Sequence, residues 1–318
     1  MTSFLAFALL PVVAKAQTEV KAPAPEVNEL KIQGEYAGMM RDAGFGFQVI
    51  ALGKGRYEAI LCPGGLPGAG WTMDPPLRQR VTSTNQEGDV RFSGNGWVGL
   101  LKDERIMLED FKGSTIGRLT RTERRSESLE AAPPQDAVVL FDGKSLDAFQ
   151  SGARKTEDHL LMEGCTTKQE FGDCRVHLEF KLPFMPEAKG QGRGNSGIYL
   201  SSRYEVQILD SFGLRGEHNE CGGIYMVAKP KVNMCYPPEQ WQTYDIDFTA
   251  PRFDDKGAKL TNALITVIHN GVVIHDKVEV PNPTTASPLR DEGPTGPIHL
   301  QNHGNPVRFR NFWVVPLK

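Results

Sequence analysis

At 318 residues the chain is about twice the usual domain prior of roughly 150, so one or two domains are expected, each long enough to bury its own core. A hydrophobic share of 39%, a charged share of 24%, 33 Gly and 22 Pro exclude a disordered, collagenous or coiled-coil chain and make long helices improbable. With 36 Lys+Arg against 39 Asp+Glu, a formal charge of -3 gives no electrostatic grip on a phosphate backbone or an anionic membrane surface, so nucleic-acid binding is set aside.

The first segment with a reading is apolar from Phe4 to Val13, too short to span a bilayer, and ends in the small-x-small site Ala14-Lys15-Ala16. Residues 1–16 are therefore expected to be a signal peptide, although the basic residue that usually precedes such a run is missing. No Cys follows the site to carry a lipid anchor, and no later stretch is apolar enough to cross a membrane, so a periplasmic or extracellular protein is expected. Residues 17–29, rich in Pro and polar groups, read as a tether.

From 30 to 121 short runs of strand character alternate with Gly-containing turns. Gly46–Leu52 and Arg56–Leu61 flank Gly53-Lys54-Gly55 as a hairpin, and the runs at 90–92, 97–101, 105–108 and 114–119 keep the rhythm of a small antiparallel meander or barrel. Residues 122–136 are highly charged and contain a Pro pair, which predicts a linker. From 137 to 318 the strand-length runs are numerous, β-branched or aromatic, and without helical periodicity. The expected fold class is all-β: a β-sandwich or jelly roll behind a smaller β-rich domain.

Chemistry-bearing residues collect in the second part. In Tyr204–Asp210 the strand alternation puts Glu205 and Gln207 on one face, and a bulge near Leu209 would bring Asp210 to join them. Gly296 to Trp313 alternates, turns at Gly304-Asn305-Pro306 and alternates again, which predicts a hairpin with His299, Gln301 and His303 on one face and Arg308 and Arg310 on a face of the return strand. His303 is the candidate titrating group there, and Trp241 is a sugar-stacking candidate or a core residue at a strand entry. A metal site can be imagined from Asp210, His218 and Glu220, but no zinc spacing supports one; a divalent metal stays open and no other cofactor is implied. Five cysteines leave at least one unpaired, with Cys221 and Cys235 the pair that would close a short loop. Nucleophile triads, phosphate loops and dinucleotide fingerprints are not apparent.

Taken in order, Leu140–Leu146, Thr167–Asp173, Gly194–Tyr199, Tyr204–Asp210, Trp241–Asp245 and Gly296–Trp313 resemble the 3-keto-disaccharide hydrolase domain, a family related in fold to concanavalin A-like lectins and glucanases. The resemblance spans about 136 to 318 and departs from the family pattern at Asp147-Ala148-Phe149, where members commonly carry a Trp. It implies a carbohydrate substrate already oxidised at C3 by a partner sugar 3-dehydrogenase, so that a base removes the acidified C2 proton and the C1 substituent leaves. Glu205, Gln207, Asp210 and His303 are the catalytic candidates; Asn195, Gln301, Arg308, Trp241 and Lys168 are the candidate sugar contacts. Two alternatives stand beside this reading: a non-catalytic carbohydrate-binding sandwich, and a conventional two-carboxylate glycosidase using Glu205 and Asp210.

Overall fold

The structure, a computed structural model, describes residues 27–71, 79–86 and 89–317. The expected signal peptide at 1–16 and most of the tether lie outside the described residues. A short helix, α1 (Val27–Ile32), leads into eight antiparallel strands: β1 (Gly34–Met40), β2 (Ala43–Ala51), β3 (Tyr57–Pro63), β4 (Gln79–Gln86), β5 (Asp89–Gly94), β6 (Trp97–Lys102), β7 (Arg105–Glu109) and β8 (Thr115–Thr122). Each strand pairs with its neighbour in sequence and β1 also pairs with β8, which closes the barrel and leaves it no free edge. Alternate side chains, Tyr36, Phe47, Val49, Phe92, Trp97 and Ile106 among them, fill its interior.

The remaining strands form a sandwich. In the large sheet β9 (Val138–Phe141), β19 (Arg308–Pro316), β12 (Cys174–Lys181), β15 (Trp241–Thr249), β16 (Ala263–His269) and β17 (Val272–Val280) lie side by side, and β10 (Leu161–Met162) adds to β19. The small sheet runs β11 (Cys165–Phe171), β18 (Gly296–Leu300), β13 (Ser196–Leu200) and β14 (Tyr204–Ile208). Val176, Leu178 and Phe180 from β12 face Ile198 and Leu200 from β13 and Val206 and Ile208 from β14 across one core, so each sheet turns its other face outward.

This arrangement corrects one expectation. The strands on either side of Gly304-Asn305-Pro306 are not a hairpin: β18 pairs with β11 and β13, whereas β19 pairs with β9, β10 and β12. Ile298 and Leu300 on one strand and Val307 and Phe309 beyond the turn bury themselves in the same core from opposite sides. The chain must therefore arch from one sheet to the other rather than fold back within one.

The barrel sits against the sandwich. Ile50, Ile60, Cys62 and Trp71 belong to the sandwich core cluster, and Gly213, at φ 71°, permits the approach because a Cβ there would lie 2.2 Å from Ile50 Cδ1. Residues 123–136 join the two bodies without a strand, yet their side chains are anchored. Arg124 grips Glu35 of β1 through two 2.6 Å contacts, donates to the Pro67 carbonyl and lies 4.9 Å over the Tyr236 ring. Ser128 donates to Asp245 at 2.6 Å, and the Glu130 N–H donates to Glu179. All five cysteines are buried and none is in a disulfide, Cys221 and Cys235 included; Cys221 Sγ lies 3.3 Å from the Tyr244 hydroxyl.

Candidate active site

The outward face of the small sheet carries the densest set of unsatisfied polar groups. Register places Tyr199 opposite Glu205 on one side and opposite His299 on the other, and Gly197 opposite Gln207. The segment 222–225 extends the sheet past β14: the Tyr225 N–H donates to the Glu205 carbonyl, and Gln207 exchanges backbone hydrogen bonds with Gly222 and Gly223. One row across the sheet thus reads Tyr225, Glu205, Tyr199, His299 and Thr166, and the next reads Gly223, Gln207, Gly197 and Gln301. Gly197 is a gap with a purpose, because a Cβ there would lie 2.4 Å from Glu205 Oε1.

Glu205 is only 2 % exposed, and its Oε2 has no hydrogen-bond partner. Burial pushes its carboxyl up to about 7, with the Tyr199 hydroxyl pulling weakly the other way. Tyr199 is itself pushed well above the usual phenol range by burial and by the carboxylate beside it, so it stays a proton donor. Its oxygen also accepts from Gln301 Nε2 at 3.0 Å. His299 bonds Thr166 Oγ1 through Nδ1 at 2.8 Å, and burial lowers its titration despite a backbone contact from Cys165, which keeps the imidazole neutral near pH 7.

Beside this row lies an amide relay. Gln191 donates to the Asn219 carbonyl at 2.8 Å, so its Oε1 must accept; it does so from Gln207 Nε2 and Asn195 Nδ2, each at 3.1 Å. Both donating amides are thereby oriented with their carbonyl oxygens turned elsewhere, and neither Gln207 Oε1 nor Asn195 Oδ1 has a partner. His218 Nδ1, next to Asn219, is also buried and unpartnered. Buried polar atoms are normally satisfied, so a carboxylate oxygen and two amide oxygens buried without partners beside one another mark a place where a ligand rich in hydroxyl donors can complete the set.

Of the residues singled out from sequence, the structure brings Glu205, Gln207, Asn195 and Gln301 together. Asp210 lies beyond β14 and does not join them: Arg193 Nε donates to it at 2.5 Å, the Phe212 N–H at 3.3 Å, and both residues face a cleft on the barrel side. Burial holds the Asp210 carboxyl above its usual range even with Arg193 beside it. His303 is exposed in the arch between the sheets, and His299 supplies the imidazole of the small-sheet face instead. Lys168 is exposed on the bulged stretch of β11. Arg308 and Trp241 sit on the outward face of the large sheet, across the core from Glu205: Arg308 donates to Glu163 at 2.7 Å, and Trp241 lies 4.2 Å under the Arg310 guanidinium. Glu220, which accepts from the Gly216 and Glu217 N–H groups, is likewise spoken for, and no cluster of three or more His, Cys, Asp or Glu suited to a metal occurs among the described residues.

Sequence reasoning missed Tyr199, Gln191 and Tyr225, and offered His218 only as a possible metal ligand. Tyr199 was recoverable from the alternation of β13, which turns Gly197 and Tyr199 away from Ile198 and Leu200. Gln191 sits in a glycine-flanked loop whose fold no periodicity announces.

A family model described as a 3-keto-alpha-glucoside-1,2-lyase-like domain matches residues 136–315. Among solved structures, the chain is similar to a candidate glycosyl hydrolase from Parabacteroides distasonis ATCC 8503 at 37 % identity, covering 57 % of this chain and 84 % of that one with a TM-score of 0.53. Another candidate glycosyl hydrolase from the same organism is similar at 22 % identity, over 57 % of this chain and 99 % of that one, with a TM-score of 0.41. No curated protein matches. The sandwich and its family model together define a glycoside-acting enzyme. More narrowly, the chain belongs to the 3-keto-alpha-glucoside-1,2-lyase-like domain family.

Proposed function

We propose that this protein cleaves glycosides already oxidised to a ketone at C3, with Glu205 as the base. The observation that carries the reading is a buried carboxyl with one unpartnered oxygen beside unpartnered amide oxygens, pushed by that burial up to about 7. A base poised near neutrality is matched to a carbon acid made labile by an adjacent ketone. Glu205 takes the C2 proton, the C2–H electron pair forms the C1–C2 double bond by way of the enolate, and the C1–O bond breaks with its pair leaving on the aglycone oxygen. Water added across the double bond then completes a net hydrolysis; release before addition makes the reaction a lyase step.

Each remaining group has a part. Gln207 Oε1 and Asn195 Oδ1 accept sugar hydroxyls, which fixes the ring over Glu205. Neutral His299 donates toward a developing enolate or the departing oxygen, a role the sequence alone gave to His303. Tyr199 hydrogen-bonds Glu205 and, locked by Gln301, holds it in place. Asp210, held by Arg193, has no part, which disfavours the two-carboxylate glycosidase. The reading also calls for a sugar 3-dehydrogenase upstream and, with the N-terminal apolar run, for action outside the cytoplasm.

The test is to incubate the protein with a 3-keto glucoside and with its unoxidised parent, each with and without a chelator, and to follow aglycone release. Release from the oxidised substrate alone is expected. Equal release from the parent would favour a conventional glycosidase, binding without release a carbohydrate-binding module, and loss with chelator a metal-dependent variant of the same step.

A further inference from the structure

The loop that carries Gln191 has a second side. There, residues 187–193 of the sandwich face β2, β3 and β4 of the barrel across a cavity of about 490 Å³. Its floor is apolar, made by Ile50 and Leu52 from the barrel and Phe212 and Leu214 from the sandwich. Its rim is charged. Three of its cations are matched: Lys54 by Glu187 across the mouth at 3.2 Å, Arg80 by Glu58, and Arg193 by Asp210.

Two are not. Arg56 and Lys189 line the same cavity, and neither has a carboxylate partner among the described residues; Arg56 spends its Nε and Nη2 only on the Gly53 and Leu52 carbonyls, at 3.3 Å each. A further donor is left open at the inner end. Arg193 is 9 % exposed, and its Nη2 is buried with no hydrogen-bond partner although Nε holds Asp210. A guanidinium nitrogen buried without an acceptor is the counterpart of the open acceptors on the other side of the loop, and it calls for the opposite kind of ligand.

We propose that this cavity binds an organic carboxylate with a flat apolar body, its carboxylate toward Arg193, Arg56 and Lys189 and its body on Phe212 and Ile50. Guanidinium groups match the planar geometry of a carboxylate, and the apolar floor selects against a small, fully hydrated anion. The cavity is not lined by Glu205, Gln207 or Asn195, and the proposal does not depend on which reaction Glu205 performs. Because residues 187–190 and 193 wall the cavity and Gln191 and Asn195 belong to the same segment, an occupied cavity holds in place the loop that carries both amides.

Calorimetric titration of the full chain decides the matter, with 4-hydroxybenzoate as the probe and two arms: 4-hydroxybenzyl alcohol, which keeps the body without the charge, and inorganic phosphate, which keeps a charge without the body. Saturable binding of 4-hydroxybenzoate is expected, with each arm weaker by about tenfold or more. Arg193→Gln should weaken binding about tenfold. Arg56→Gln, an exposed position where folding is not at stake, should do the same, while Glu205→Gln binds as the wild type does. Absence of saturation at millimolar concentration, equal binding of the alcohol, equal binding of phosphate, or an unchanged Arg56→Gln would each overturn the proposal.

Discussion

The two outward faces of the sandwich both bury charged side chains, and they do so to opposite ends. On the large sheet, Glu179 receives Arg310 Nε at 2.7 Å, Asn311 Nδ2 at 2.9 Å and the Glu130 N–H. Next to it His177 bonds Asp245 at 2.6 Å and stacks on Trp313 with ring centroids 4.8 Å apart. Burial alone would raise Glu179, but the hydrogen bonds from His177, Asn311, Glu130 and Arg310 outweigh it and bring the carboxyl down to about 2. On the small sheet Glu205 meets the same burial with a single hydroxyl partner and rises to about 7. A buried carboxylate given every donor it can use is part of the framework; one deprived of donors is held ready to accept a proton.

The largest effect expected from breaking this contrast falls on the large sheet. Glu179→Ala leaves Arg310 and His177 without their buried partner, and the loss of stability should be about 3–5 kcal/mol by denaturant unfolding, with the folded fraction still turning over substrate. The acid limb follows from the sign of the shift. A carboxyl whose folded value lies below its unfolded one stabilises above pH 4.5, and that stability drains away as pH falls toward 2. A Glu179→Ala protein as stable as the wild type at pH 7 would remove the distinction between the faces.

Glu205→Gln should give the reverse pattern. Turnover falls by about 10²-fold or more, the size of a lost general base, while sugar binding survives. Here the raised carboxyl is protonated in the folded chain and ionised in the unfolded one between pH 4.5 and about 7, so wild-type stability declines as pH rises through that window. Thermal melts should therefore show Glu205→Gln matching the wild type near pH 4 and exceeding it at pH 8. The wild-type rate should climb with pH through about 7. If the variant melts lower than the wild type at pH 8 and retains its rate, Glu205 is framework after all.

A smaller effect is expected of Gly197→Ala. The added methyl would crowd Glu205 Oε1 from 2.4 Å and turn the carboxylate out of line, so kcat should drop about tenfold with a stability cost of about 1–3 kcal/mol. An unchanged rate would mean the carboxylate orientation along β14 is not what matters.

How much of this was legible beforehand follows from what strand alternation can and cannot carry. It separates Glu205 and Gln207 from Val206 and Ile208 whatever the sheet order, and the glycine turns announce the barrel hairpins. It cannot tell whether two strands joined by a tight turn pair with each other, because Ile298, Leu300 and Phe309 bury equally well in a hairpin or in an arch between sheets. That single ambiguity put Arg308 beside His299 in the sequence reading, when the core lies between them. It also singled out His303, whose alternation holds only while the strand continues; β18 ends at Leu300, and the imidazole within the strand is His299, two periods back. The relay through Gln191 lay beyond reach for a different reason: three amides choose their orientation jointly, and only the folded loop assembles them.

The amide relay has a consequence for selectivity. An amide that is free to rotate is ambidextrous, offering nitrogen or oxygen as the visitor requires, and so tells visitors apart poorly. By accepting from both neighbours at once, Gln191 Oε1 strips Gln207 and Asn195 of that choice and turns two indifferent groups into a fixed vocabulary of oxygen only. A polyol answers in kind at every position, whereas a molecule that presents carbonyl or carboxylate oxygens there finds lone pair facing lone pair. If sugar binds here as proposed, the loop filters by the sense of the hydrogen bond before shape or size is consulted, and it does so with a side chain that need never touch the molecule it admits.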